Sequence, residues 1–193
     1  MRTRAVDTFN RYAGEYDRWF DANPEIFASQ SALLHTIIQG EGDGLEVGVG
    51  SGRFASSLDI RHGIDPSPAL LVMAQNRGIE TVQGVGEFLP YRPAVFDYIL
   101  MMTVICFLDD IAQSFREACR VLRHDGTLVI VFLEKEGEIA RTERDEKSSG
   151  RFLRHANFLS VDEVMATLTI AGFSRSTLVE NLHGFCILTA QKE

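Results

Sequence analysis

Leu45-Glu46-Val47-Gly48-Val49-Gly50-Ser51-Gly52-Arg53-Phe54-Ala55 is the segment in which this sequence declares its architecture. A short apolar run opens it, with an acid before the first glycine, and three glycines follow at alternate positions. Glycine carries no Cβ, so it permits a tight turn and lets bare backbone come close to a ligand. Glu46 adds a hydrogen-bond acceptor where the strand should end. Exposed N–H donors beside a carboxylate suit a ligand carrying both hydroxyls and a cationic amine. The strict G-x-G-x-x-G dinucleotide pattern fails, because Arg53 stands three positions after Gly50. From the loop alone two alternatives stay open: a glycine-rich turn that binds nothing, and a nicotinamide or flavin site.

On either side of this loop the chain alternates between strand and helix patterns. Strands are expected at 45–48, 63–65, 81–85, 96–103 and 127–133, with helices at 54–58, 69–77 and 111–122 between them. The run at 96–103 is continuously apolar, as in strands buried on both faces. Such alternation predicts an α/β doubly wound, mostly parallel sheet with ligands at the carboxyl ends of its strands. The last third departs from this. A charged stretch over 134–150 leads to a helix at about 160–171. Strands at 177–182 and 185–191 follow, separated only by His183-Gly184, which makes them an antiparallel hairpin. The sheet is therefore expected to have seven strands. Upstream, residues 1–40 read as helical, with Asp7 or Thr8 as a cap. Asn23-Pro24 breaks that pattern, and Gly40-Glu41-Gly42-Asp43-Gly44 makes a turn-rich entry to the glycine loop.

With 193 residues, one domain with a sizeable core is expected. The net charge of −8 argues against nucleic acid as a partner, which would need clustered Lys and Arg. No stretch approaches the length of a membrane span, and no apolar signal core opens the chain. Cys106, Cys119 and Cys186 are dispersed, without a C-x-x-C pair, and read as buried free thiols in a reducing compartment, so a cytoplasmic location is expected. They and the scattered histidines predict no metal site.

Further candidates lie beyond the loop. Asp65 closes the second strand in Gly63-Ile64-Asp65-Pro66-Ser67, where α/β nucleotide-binding proteins put an acid on ribose hydroxyls; capping the next helix is its alternative use. Gly86 and Glu87, in Gly84-Val85-Gly86-Glu87-Phe88-Leu89-Pro90, could leave backbone and carboxylate free to meet an adenine edge. Tyr12, Tyr16 and Trp19 fall one turn apart on a helix, either packing a core or lining a pocket. Of the histidines only His155 falls in a segment expected to overhang the site, and a surface role suits it better than that of a general base. Cys106 reads as packing.

Taken in order, these segments resemble the successive signatures of class I S-adenosylmethionine-dependent methyltransferases, with Phe96-Asp97-Tyr98-Ile99-Leu100 and the helix and turn 116–126 completing the set. The closest group is the small-molecule branch called methyltransferase type 11. Phe9-Asn10-Arg11-Tyr12-Ala13-Gly14-Glu15-Tyr16-Asp17-Arg18-Trp19 is similar to the lid helix of that branch. The resemblance implies one methyltransferase domain over 1–193: a helical lid (1–40), a cofactor-binding core (44–134), a substrate lid (135–160) and a C-terminal helix and hairpin (161–193). It implies that Glu46 and the backbone of Gly48 and Gly50, in the loop completed by Gly52, hold the methionine part of S-adenosylmethionine. Asp65 would hold the ribose, Pro66 would pack on adenine, Gly86 and Glu87 would border the adenine edge, and Met102 and Thr103 would line the methyl-transfer site. Tyr12, Tyr16 and Trp19 would belong to the lid over the substrate. Many relatives carry a polar residue in place of Val85, which makes Glu87 the candidate partner of the adenine amine. The implied reaction is in-line methyl transfer to a small-molecule acceptor, with S-adenosylhomocysteine as product and no catalytic residue identified. An NAD(P)-dependent oxidoreductase and a non-catalytic S-adenosylmethionine-binding protein are the alternatives. The sequence carries no signal for the acceptor or for an oligomeric state.

Overall fold

A computed structural model describes residues 3–38, 42–145 and 150–193. Three helices lead the chain: α1 (Thr3–Arg11), α2 (Ala13–Ala22) and α3 (Pro24–Ile37). Then come β1 (Gly44–Val47), α4 (Arg53–Ser57), β2 (His62–Asp65), α5 (Pro68–Asn76) and β3 (Glu80–Gln83). The second half supplies β4 (Phe96–Met102), α6 (Ile111–Val121), β5 (Leu122–Leu133), α7 (Glu138–Asp145), α8 (Val161–Ile170), β6 (Phe173–Leu182) and β7 (Phe185–Lys192).

The strands form one seven-stranded sheet in the order β3-β2-β1-β4-β5-β7-β6. All neighbours are parallel up to β5, and β7 runs antiparallel to both β5 and β6. Strand order reverses between β1 and β4, so the loop after β1 opens at the switch point where such sheets bind ligands. This is the expected mostly parallel sheet with a terminal hairpin. Its turn, His183-Gly184, takes left-handed φ values of 53° and 95° at consecutive positions, as a two-residue type I′ connection requires.

Alternation of side chains along the central strands divides the core in two. Leu45, Val47, Ile99, Met101, Leu128, Ile130 and Phe132 face α6 and α8, meeting Phe115, Ala118, Val164 and Leu168. Tyr98, Leu100, Met102, Val129 and Val131 face the other way, onto Phe20, Leu34, Phe54, Leu71 and Ala74 from the N-terminal helices, α4 and α5. Leu128–Phe132 is buried at every position, which explains its unbroken apolar sequence.

Several boundaries differ from expectation, each for a local reason. The N-terminal region breaks twice, at Tyr12 (φ −115°, ψ 26°) as well as at Asn23-Pro24. Because α1 begins at Thr3, Asp7 and Thr8 fall inside the helix, and the Thr8 hydroxyl donates to the Arg4 carbonyl (3.0 Å) in place of capping. β3 is a short, mostly exposed edge strand ending at Gln83. β5 starts at Leu122, opposite Phe96, and the turn expected at 123–126 is an irregularity within it: Asp125 has φ 61°, and regular pairing resumes at Tyr98 with Thr127. The charged stretch contains α7. The expected end of the second helix at residue 39, the start of the turn-rich entry at 40–41 and the part of the charged stretch at 146–149 lie outside the described residues.

Candidate cofactor site

β1 delivers Glu46 to the face covered by α4 and the lid, because its neighbours Leu45 and Val47 take the opposite face. The loop then turns through Gly48, Gly50 and Gly52 with φ of 75°, 52° and 80°. Gly48 donates its amide to the Ile64 carbonyl (2.8 Å), and a Cβ there would collide with Val104. A Cβ on Gly52 would lie 2.9 Å from the Ala74 backbone, so this glycine lets α4 pack against α5. A Cβ on Gly50 would meet the Tyr16 ring at 3.4 Å, so the bare side of this glycine faces the lid.

Two carboxylates stand beside this loop. Asp65 accepts from the Gly50 amide through Oδ2 (3.0 Å) and from the Ser67 amide through Oδ1 (2.8 Å). It therefore fixes the glycine loop, while capping of α5 falls to Ser67, whose hydroxyl accepts from the Leu70 amide. Each carboxylate oxygen keeps a further lone pair. Glu46 is 2% exposed, and its Oε2 has no hydrogen-bond partner. Burial pushes its carboxyl well above the ordinary value; a hydrogen bond from the Ala55 amide opposes that push and the charge of Asp65 adds to it. Burial also raises Asp65, to about 6, against the two amides it accepts.

The loop thus presents something other than the free N–H donors its composition suggests. The amides of Gly48 and Gly50 are used within the floor, so the glycines contribute close approach and the acids contribute the polarity. Pro66 is half-buried beside Asp65, its carbonyl accepting from Gln83 Nε2 (3.2 Å). Gly86 is buried against Ser114 and Val47, where a Cβ would meet the Ser114 hydroxyl at 2.7 Å. Glu87 is buried too, and its Oε1 accepts from the Asp109 amide (2.8 Å), tying the loop after β3 to the loop after β4. Met102 packs on the lid side of the sheet. Thr103 follows in the left-handed region (φ 49°), donating its amide to Val131.

The roof comes from α1, α2 and the segment after residue 150. Phe9 meets Tyr16, Phe107 and Phe152 with ring centroids 5.1–5.5 Å apart. Burial, then Glu46, Asp65 and Asp17, keep the Tyr16 phenol far above its ordinary pKa, so it is neutral. Tyr12 marks the α1–α2 break and lies under the Arg151 guanidinium at 3.9 Å. Trp19 is 46% exposed and meets the Phe20 ring edge-on. The structure thus brings Tyr16, of the three lid aromatics, onto the floor. His155 joins the roof to α1 through Thr8 (3.4 Å). Cys106 is buried below the roof, its thiol pushed up to about 12 by burial.

Sequence reasoning missed Asp17. Its carboxylate accepts from Arg53 Nε (2.7 Å) and NH2 (2.9 Å) and from Arg77 NH2 (3.1 and 2.9 Å), and Arg77 NH1 donates to the Ser51 carbonyl (2.8 Å). Against the upward push of burial, these arginines and Ser51 hold Asp17 well below the usual carboxylate range. A cation directly after the glycine run was the available signal; its partner lies 36 residues away, and only the fold pairs them. Among the described residues, no group of three or more His, Cys, Asp or Glu could hold a metal ion, and no helix is long and apolar enough to cross a membrane.

Residues 45–130 match the family described as Methyltransferase domain. An uncharacterized protein of Methanocaldococcus jannaschii is 37% identical over 168 residues, covering 87% of this chain and 82% of its own. A malonyl-[acyl-carrier protein] O-methyltransferase of Geobacter sulfurreducens is 28% identical over 192 residues, covering 89% of this chain and 70% of its own. The crystal structure of an S-adenosylmethionine-dependent methyltransferase of Thermotoga maritima, described as a possible histamine N-methyltransferase, superposes with a TM-score of 0.88 at 31% identity, covering 98% of this chain and all of that one. With the glycine loop at the switch point and the antiparallel end of the sheet, these matches assign the chain to the S-adenosylmethionine-dependent methyltransferases.

Proposed function

We propose that this methyltransferase binds S-adenosylmethionine on the Glu46–Asp65 floor beneath Tyr16 and transfers its methyl group to a small-molecule acceptor. The observation that carries the assignment is Glu46: a buried carboxylate with an unpartnered oxygen is costly unless a ligand group compensates it. The cofactor's amine suits that oxygen, and the remaining lone pairs of Asp65 suit ribose hydroxyls. Gly50 carries no Cβ on the side that meets Tyr16, which allows close approach there, so the residues fit the cofactor. When bound, S-adenosylmethionine supplies a methyl group already activated on a sulfonium centre. The chain's own part is to bind, orient and exclude water, for which alignment alone contributes several kcal/mol. Pro66 flanks the adenine. Gly86 and Glu87 wall its side by fixing the loop after β3, and Met102 and Thr103 face the transfer side.

The acceptor is small and largely apolar, a reading supported by the ring-lined roof of Phe9, Phe107 and Phe152. Names of similar proteins include both an N- and an O-acceptor, so the acceptor atom is a property of the roof and does not follow from the family. Three free cysteines fit work in the reducing cytoplasm. Calorimetric titration with S-adenosylhomocysteine and with NADH tests the cofactor: binding of the former is expected, and tight binding of NADH alone would overturn the proposal. Labelled-methyl transfer across a panel of amines, phenols, thiols and carboxylic acids then separates an enzyme from a protein that only binds the cofactor.

A further inference from the structure

The lid is held to the cofactor floor by two kinds of contact. One is apolar: Phe20 and Phe27 meet Phe54 on α4, while Tyr16 packs with Phe9 and Phe152 within the roof itself. The other is polar: Asn10 accepts from the Ser67 hydroxyl and the Ala69 amide at the start of α5, and α2 supplies carboxylates to two arginines. Asp17 reaches Arg53, which begins α4 directly after Gly52, and Arg77, which caps the far end of α5 and grips the loop through the Ser51 carbonyl. One side chain thus ties α2 to the loop and to both helices that flank it. Asp21, one turn further along α2, adds a second carboxylate on Arg53 (2.8 Å).

The residue before Asp17 is Tyr16, whose ring lies against Gly50 and whose phenol feels the charges of Glu46 and Asp65. Neighbours on one helix move together, so α2 cannot keep the Asp17 contacts and also lift Tyr16 from the loop. With its ring against Gly50, Tyr16 covers the loop that follows Glu46. The ion cluster is also open to water and salt. The Asp17, Arg53 and Arg77 side chains are 15%, 17% and 28% exposed, whereas Phe20 and Phe54 are buried.

We propose that Asp17 is the latch of a cofactor gate: its contacts with Arg53 and Arg77 hold α2 shut with Tyr16 over Gly50, and their release admits and discharges the nucleoside ligand. This rests on the cofactor assignment above. Asp17 acts through Tyr16 and the loop, so it is a positioning residue.

Trp19, the only tryptophan, lies on α2 edge-on to Phe20 and reports its movement by fluorescence. In stopped-flow mixing with S-adenosylhomocysteine, Asp17→Asn is expected to raise association and dissociation rates together, each by about tenfold, because it removes the charge from hydrogen bonds to two arginines. The Kd should move less than either rate. Rising salt should speed association in the wild type and leave the variant unchanged. Arg77→Gln, which loosens the same cluster from the other side, should act alike and serves if Asp17→Asn does not fold. In the free protein both variants should exchange α2 amide hydrogens faster.

Unchanged rates and unchanged α2 exchange in folded variants would overturn the latch. So would a weaker Kd from slower association, the mark of a merely structural role. If the wild type fails to bind S-adenosylhomocysteine, the cofactor assignment falls and the gate with it. Faster α2 exchange in the variants would in that case identify Asp17 as a structural tie only, so the two failures are distinguishable.

Discussion

In the role proposed for it, Glu46 sets cofactor binding against stability. A buried acceptor oxygen without a partner opposes folding of the free protein and favours a cationic ligand. Glu46→Gln is therefore expected to leave the melting temperature unchanged or raised while weakening S-adenosylhomocysteine binding about tenfold or more, as loss of a charge-assisted hydrogen bond implies. Calorimetry and thermal denaturation on the same sample check both halves. Asp65 gives a pH signature. Its value of about 6 in the folded free protein exceeds the ordinary 3.8, so the folded state holds a proton that the unfolded state releases. Stability of the free protein should fall as pH rises from 4 to about 6. Cofactor affinity should rise over the upper part of that window, because ribose donors need the ionised acceptor. At a pH one unit below 6, about one Asp65 in eleven is ionised, so affinity should drop about tenfold from its neutral value. Glu46, raised in the same direction, deepens that fall. Gly52→Ala should destabilise the fold by about 2–3 kcal/mol, from a left-handed φ and a close approach to Ala74. Denaturant unfolding measures it. Glu46 and Asp65 were legible in the sequence because strand ends and glycines mark their places. Asp17 was not, because a charge pair spanning α2 and α4 has no local signature.

Elements were legible to the degree that local chemistry fixes them. The capping box at α8 is an example: the Ser160 hydroxyl accepts from the Glu163 amide (3.2 Å), and the Glu163 carboxylate accepts from the Ser160 amide (2.7 Å). The helix accordingly starts within a residue of expectation. Ser160→Ala should lower stability by about 1 kcal/mol, read from the midpoint of chemical denaturation. His183-Gly184 announced its hairpin equally well, by a two-residue turn. The break at Tyr12 did not announce itself. No proline stands there; beside the break, the Asn10 carboxamide accepts from the Ser67 hydroxyl and Ala69 amide at the start of α5, partners remote in sequence. β3 was overestimated because an apolar Val85 follows it, yet that residue forms only an isolated bridge to Phe88.

Across the molecule, strand order converts local signals into a site. Glu46, Asp65 and Thr103 end strands that are neighbours around the switch point, and α2 closes over them from the other side of the chain order. The alternation of patterns predicted the sheet and its terminal hairpin. It could not predict that the roof would close on itself through Phe9, Phe107 and Phe152, contacts that join three distant segments. A crystal structure of the protein with S-adenosylhomocysteine tests the assignment of this floor most directly. The expected result has the ligand's amine on Glu46, its ribose hydroxyls on Asp65, and Tyr16 packed over the ligand with the Asp17 contacts to Arg53 and Arg77 kept. Ligand bound elsewhere on the sheet, with Glu46 and Asp65 untouched, would contradict it.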